Sequence, residues 1–244
     1  MLYFISPVLM FGYFFDIFLS ENLQKSNSFA AGEYPVWNDI IDGKVNSDVV
    51  IYGSSRAWVH FDPFIISRKL KKSTYNLGID GHNFWLQNLR HKQLLKYNKK
   101  PKLIIYSLDI NTLQQNTELY NYEQFFPYML WNNEFTNTIV STNNSLNFDF
   151  NIPLLRYMGR YKTIRTSFEM AFFQKNFEKV RCNGYQGQDL LWNKDLENTE
   201  KKMNNYKASL NTFAIRKFED FIIDLKLMNI KIVFVYSPEY IKGQ

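Results

Sequence analysis

The stretch Asp48 to Pro63, DVVIYGSSRAWVHFDP, decides the fold. Its first part, Asp48 to Tyr52 (DVVIY), is a continuous apolar run ending in Gly53 and reads as the first strand. A strand without a polar side suits burial on both faces, as in parallel sheets. The second half ends in Asp62 and Pro63, an N-cap and first-turn pair, so a short helix is expected over Phe64 to Leu70.

Working outward, Ser73 to Leu77 reads as a second strand. Asn83 to Tyr97 reads as a helix with Trp85, Leu86, Leu89 and Leu94 available for one face, and Leu103 to Leu108 (LIIYSL) as a third strand. Residues 118–205 break the alternation: they form an aromatic-rich insertion, expected to cover the domain and to be helical in parts such as Arg165 to Val180. The alternation returns with a helix over Tyr206 to Met228 and a strand over Ile230 to Tyr236. The expected class is α/β, a mostly parallel sheet flanked by helices on both faces.

Met1 to Leu19, MLYFISPVLMFGYFFDIFL, is apolar except for Ser6 and Asp16. A bilayer-spanning helix needs about 20 apolar residues, so residues 1–19 are expected to form a transmembrane anchor. Asp16 and Pro7 favour the alternative, an apolar helix packed on the domain, because a carboxylate in lipid is costly. Residues 20–47 are polar and turn-rich and read as a linker, leaving 48–244 as the soluble domain.

The net charge of +6 is scattered in short groups such as Arg68 to Lys72 and Lys99 to Lys102. A nucleic-acid groove gathers such residues on one face, so no nucleic-acid partner is expected. Cys182 is the single cysteine, which excludes an intrachain disulfide and a cysteine-based zinc site within these residues. Neither a metal nor an organic cofactor is expected. Among the 22 Phe, 16 Tyr and 5 Trp, Trp131 and Trp192 could wall a sugar site, although core packing is the default for such residues.

In parallel α/β sheets, ligands bind beyond the carboxyl ends of the strands. Three such ends carry small or polar residues: Gly53 to Ser55, Gly78 to Asn83, and Asp109 to Asn111. A serine in a tight strand-to-helix turn presents its hydroxyl where backbone N–H groups can stabilise an oxyanion.

VVIYGSSRAWVHFDP resembles the first sequence block of the SGNH (GDSL-like) hydrolases in its G-S-S variant. The resemblance implies a flavodoxin-like three-layer fold with Ser55 as nucleophile. YNLGIDGHN, Tyr75 to Asn83, is similar to the second block, which makes Gly81 an oxyanion donor and leaves Gly78 to shape the loop. YSLDINTL, Tyr106 to Leu113, stands where the third block has G-x-N-D, so Asp109 or Asn111 takes the place of its asparagine. An ionised Asp109 can only accept hydrogen bonds, whereas Asn111 carries a donor amide.

The fourth block, D-x-x-H, supplies the general base. The histidines here are His60, His82 and His91, none in that pattern, with His82 a possible substitute beside Gly81. The resemblance therefore implies a base beyond Gln244 and a domain incomplete at its C-terminus. Its membrane-anchored bacterial members act on acyl groups of the cell envelope. What it implies for this chain is serine-dependent hydrolysis or transfer of an acyl group, with an acylated glycan or small ester as partner. The N-terminal helix would meet the membrane and the domain would lie outside the cytoplasm. The alternative is a non-catalytic binding or scaffold domain of an envelope assembly. A nucleotide-binding domain is disfavoured, because GSSRAW lacks the glycine pattern of a phosphate loop.

Overall fold

A computed structural model describes residues 2–81, 83–114, 120–130, 132–142, 152–173, 181–189, 191, 195 and 209–237. Its helices and strands run α1 (Leu2–Leu23), α2 (Glu33–Ile41), β1 (Val49–Tyr52), α3 (Ser55–His60), α4 (Pro63–Leu70) and β2 (Thr74–Asn76). They continue with α5 (Phe84–Tyr97), β3 (Leu103–Leu108), α6 (Phe126–Met129), α7 (Asn133–Thr142), α8 (Tyr161–Phe173), α9 (Thr212–Leu227) and β4 (Lys231–Tyr236). The capping signals act as their sequence suggests. Asp62 accepts the N–H groups of Phe64 and Ile65 at the start of α4, and Asn83 accepts that of Trp85 at the start of α5.

The four strands form one parallel sheet in the order β2-β1-β3-β4. Register places Ile51 beside Asn76 on one side and Ile105 on the other, and Ile105 beside Val233. Alternation along the strands then gives each face a separate cover. Tyr106 and Phe234 pack on Phe218 of α9 with ring centroids 5.3 and 5.8 Å away, and Phe84 of α5 meets the same ring at 4.9 Å. On the opposite face the Asn76 amide donates to the carbonyls of Ala57 and Phe61, both at 2.8 Å, which ties down α3. The outer edge of β2 is closed by a turn of the insertion, where the Asn183 carbonyl accepts the Asn76 N–H at 3.0 Å. Among the described residues no strand pairs with the outer edge of β4, where Val233 is 50 % exposed.

Two N-terminal expectations change. Among the described residues no helix is long and apolar enough to cross a membrane. The anchor expected over residues 1–19 is replaced by a helix whose second half docks on the protein. The reason is Asp16, which is fully buried and paired with the equally buried Arg156 at 2.5 Å. Its other oxygen accepts the Leu154 N–H at 2.7 Å, and Ser167 of α8 donates to the Leu19 carbonyl at 2.8 Å. Phe15 and Phe18 pack on Phe168 of α8, while Met10, Phe11 and Phe14 remain exposed.

The segment 20–47, read as a linker, instead holds α2, with Tyr34, Val36, Trp37 and Ile40 fully buried. Trp37 packs on Phe125 and Phe135 of the insertion at 5.8 and 5.0 Å, so the two segments cover each other. Of the helix expected over Arg165 to Val180, α8 accounts for the part up to Phe173; residues 174–180, Trp131 and Trp192 lie outside the described residues.

Candidate functional site

Parallel order brings the carboxyl ends of β1, β2 and β3 to one rim. Gly53 ends β1 with φ +147°, and a Cβ there would lie 2.8 Å from Ala57 Cβ and from Ser107 Cβ and O, so only glycine fits between α3 and the β3 tip. Ser54 follows as the residue before α3, and its hydroxyl donates to Asp109 Oδ2 in a short hydrogen bond that joins the β1 and β3 tips. The other carboxylate oxygen accepts the Asn111 N–H at 3.0 Å and the Thr112 hydroxyl at 3.2 Å. Asp109 is thus an acceptor that shapes its own turn. The next residue along, Asn111, is exposed.

Ser55 opens α3 and is half-buried. Among the described residues its hydroxyl has no hydrogen-bond partner, in contrast with that of Ser54.

The loop after β2 lies beside this turn. Gly78 packs so closely that an added Cβ would sit 2.7 Å from the Trp58 N and 3.1 Å from the Ser54 carbonyl oxygen. Four successive amides of the loop are engaged. Leu77 N–H donates to Ile51 O at 2.7 Å, Gly78 N–H to Asn76 Oδ1 at 3.0 Å, Ile79 N–H to Gly53 O at 3.0 Å, and Asp80 N–H to Glu33 Oε1 at 3.0 Å. The fifth, Gly81 N–H, has no acceptor among the described residues. Gly81 has φ +70°, and a side chain there would strike the Tyr120 ring. At its far end the loop reaches the β3 tip through Phe84 N–H to Thr112 O and Asn83 Nδ2 to Gln114 O, both at 3.0 Å.

Sequence reasoning missed what lies beneath this loop. Glu33, Arg90 and Arg181 have fully buried side chains, and Glu33 accepts from Arg90 at 2.6 Å and from Arg181 at 2.8 Å. Both guanidiniums also donate to the Gly78 carbonyl, Arg90 at 3.0 Å and Arg181 at 3.2 Å. Each is stacked on an indole, Arg90 on Trp37 at 4.3 Å and Arg181 on Trp58 at 4.1 Å. Burial alone would raise the Glu33 pKa, but the charges of Arg181 and Arg90 outweigh it and hold the carboxyl below its usual range. Burial, and then the Glu33 charge, raises the pKa of nearby Asp80. Two buried cations thus share one buried carboxylate, with the Asp80 carboxyl close by on the loop. The signal was absent from the sequence, since a buried charge announces itself only through partners distant in the chain.

None of the described histidines hydrogen-bonds to Ser54 or Ser55. His60 is exposed at the far end of α3. His91 lies in the core, its Nδ1 3.0 Å from the Tyr52 hydroxyl, and burial lowers its pKa to about 4, so it is neutral at physiological pH. His82 falls outside the described residues. Among the described residues no cluster of His, Cys, Asp and Glu could hold a metal ion, and Cys182 is a free thiol.

Compared with protein-family models, curated proteins and solved structures, the chain finds no match in any of the three.

Proposed function

We propose that this rim carries serine-dependent acyl-ester chemistry in an SGNH-like, flavodoxin-like domain. The observation that carries the reading is that, among the described residues, the Ser55 hydroxyl is unengaged beside a loop whose Leu77 to Asp80 amides are engaged while Gly81 N–H has no acceptor. Ser55 Oγ attacks the ester carbonyl and loses its proton to a general base, while Gly81 N–H, with Asn111 as a second candidate, donates to the oxyanion. The alcohol leaves, and water or an acceptor hydroxyl takes the acyl group from the serine. Asp109 fixes the turn through Ser54 and does not donate.

A bare serine hydroxyl is a weak nucleophile, and in the SGNH resemblance the base is the histidine of a D-x-x-H segment, a pattern in which none of His60, His82 and His91 stands. The substrate class is an acylated envelope glycan, met outside the cytoplasm. The test is release of acetate from an aryl acetate by the full-length protein. Ser55→Ala should lower kcat/KM by about a thousandfold or more, and Ser54→Ala by about tenfold through a loosened turn. Full loss in Ser54→Ala with turnover kept in Ser55→Ala would reverse the assignment.

One observation favours a second reading, a non-catalytic glycan-binding domain: no described imidazole contacts Ser55. Glycan binding by a protein without ester turnover, unchanged by Ser55→Ala, would select it.

A further inference from the structure

We infer that Glu33, Arg90 and Arg181 form a positioning device that aims the Gly81 N–H at the reacting centre; this rests on the ester chemistry proposed above. A planar peptide holds its C=O and N–H in opposite directions, so fixing one fixes the other. The Gly78 carbonyl is gripped from one side by two buried guanidiniums, at 3.0 and 3.2 Å, and the N–H of the same peptide, on Ile79, meets the Gly53 carbonyl at 3.0 Å on the other. That peptide has no rotational freedom left.

One residue on, Asp80 N–H is held by Glu33 Oε1 at 3.0 Å. The same carboxylate balances both guanidiniums, so the grip on the Gly78 carbonyl and the grip on the Asp80 amide are a single unit. Two consecutive peptides are therefore set by three side chains from α2, α5 and the insertion. The next peptide bears the Gly81 N–H and is joined to the held one through Asp80 alone, so only the φ and ψ of that residue remain to set its direction. An oxyanion donor acts through preorganisation, because a donor that must reorient during the reaction gives up its advantage.

Glu33→Gln would leave two buried guanidiniums uncompensated and endanger the fold, so Arg181→Lys is the informative variant. It keeps the charge and loses the planar two-point grip on Gly78 O and Glu33. Full-length wild type, Arg181→Lys and the surface control Arg165→Lys are compared in aryl acetate turnover and in amide hydrogen exchange. In Arg181→Lys, kcat should fall about tenfold with KM within about twofold, and exchange of the Ile79 and Asp80 amides should rise about tenfold while that of β3 is unchanged. Arg165→Lys should match wild type in both. Unchanged kcat, or exchange that rises across the whole sheet, would overturn the positioning role while leaving Ser55 chemistry intact. Absence of Ser55-dependent turnover in wild type would instead remove the ester reading itself, and the two failures are thereby told apart.

Discussion

Replacing Asp16 by alanine should unfold a large share of this protein's stability margin. The carboxylate and the Arg156 guanidinium are both fully buried, and one oxygen to nitrogen distance is 2.5 Å. Removing one partner of such a pair leaves the other as an uncompensated charge, at a cost of about 3–5 kcal/mol. Asp16→Ala also orphans the Leu154 N–H, which it accepts at 2.7 Å, and the Ser20 hydroxyl bond at 3.3 Å. A loss of about 4 kcal/mol compares with a typical domain stability of about 5–15 kcal/mol. With a urea m-value of about 2.5 kcal/mol/M, the unfolding midpoint should drop by about 1.5 M. The double variant Asp16→Leu with Arg156→Met should recover most of this, since a buried ion pair exchanged for apolar residues is close to neutral. The exposed pair Lys44 and Asp42, side chains 62 % and 50 % exposed, serves as control, and Asp42→Ala should shift the midpoint by less than about 0.3 M. Urea titrations of the four proteins measure the cycle. A drop below about 0.4 M for Asp16→Ala would refute the docking of α1 on Arg156, because about 1 kcal/mol is too little for a stranded buried cation.

Two further outcomes follow from burial and backbone. His91 fits only as a neutral ring, with a pKa lowered by burial to about 4. The stability it supports is complete above about pH 6.5, where an unfolded imidazole is neutral too, and drains away as pH falls to about 4, by about 3 kcal/mol. Urea midpoints at pH 7 and pH 4 should differ more for wild type than for His91→Gln, and equal differences would contradict the assignment. Gly53→Ala should cost about 3 kcal/mol or more, because its Cβ would meet Ala57 and Ser107 at 2.8 Å with φ at +147°. Gly159→Ala, with φ +73° and nothing within 4 Å, should cost only about 1 kcal/mol, and thermal melts that rank the two in reverse order would discredit the packing argument.

The strands were legible because a parallel sheet leaves an unambiguous mark: Leu103 to Leu108 is apolar throughout except Ser107, and β3 has those same bounds. The helix starts were legible from Asp62 and Asn83, whose caps are local. The convergence of Ser54, Gly78 and Asp109 followed from strand direction alone. What escaped was non-local. Glu33 sits 57 residues from Arg90 and 148 from Arg181, so nothing near it in the chain shows that its charge belongs in the interior. Asp16 likewise finds Arg156 across 140 residues, and without that partner the first helix reads as an anchor. The segment before β1 looked like a stalk for the same reason: Glu33, Asn38 and Asp39 interrupt its apolar positions, yet Tyr75 bonds Asp39 and Tyr128 bonds Asn38, both at 2.7 Å.

The two margins of the sheet differ in kind. At one, the insertion's turn accepts the Asn76 N–H; at the other, no strand among the described residues pairs with the outer side of β4, where Val233 is half exposed. Where a strand margin has no neighbouring strand, an extended segment can add itself there, whether from the same polypeptide, another copy or a foreign chain. Control over which one arrives first will govern how cleanly this protein assembles when it is made.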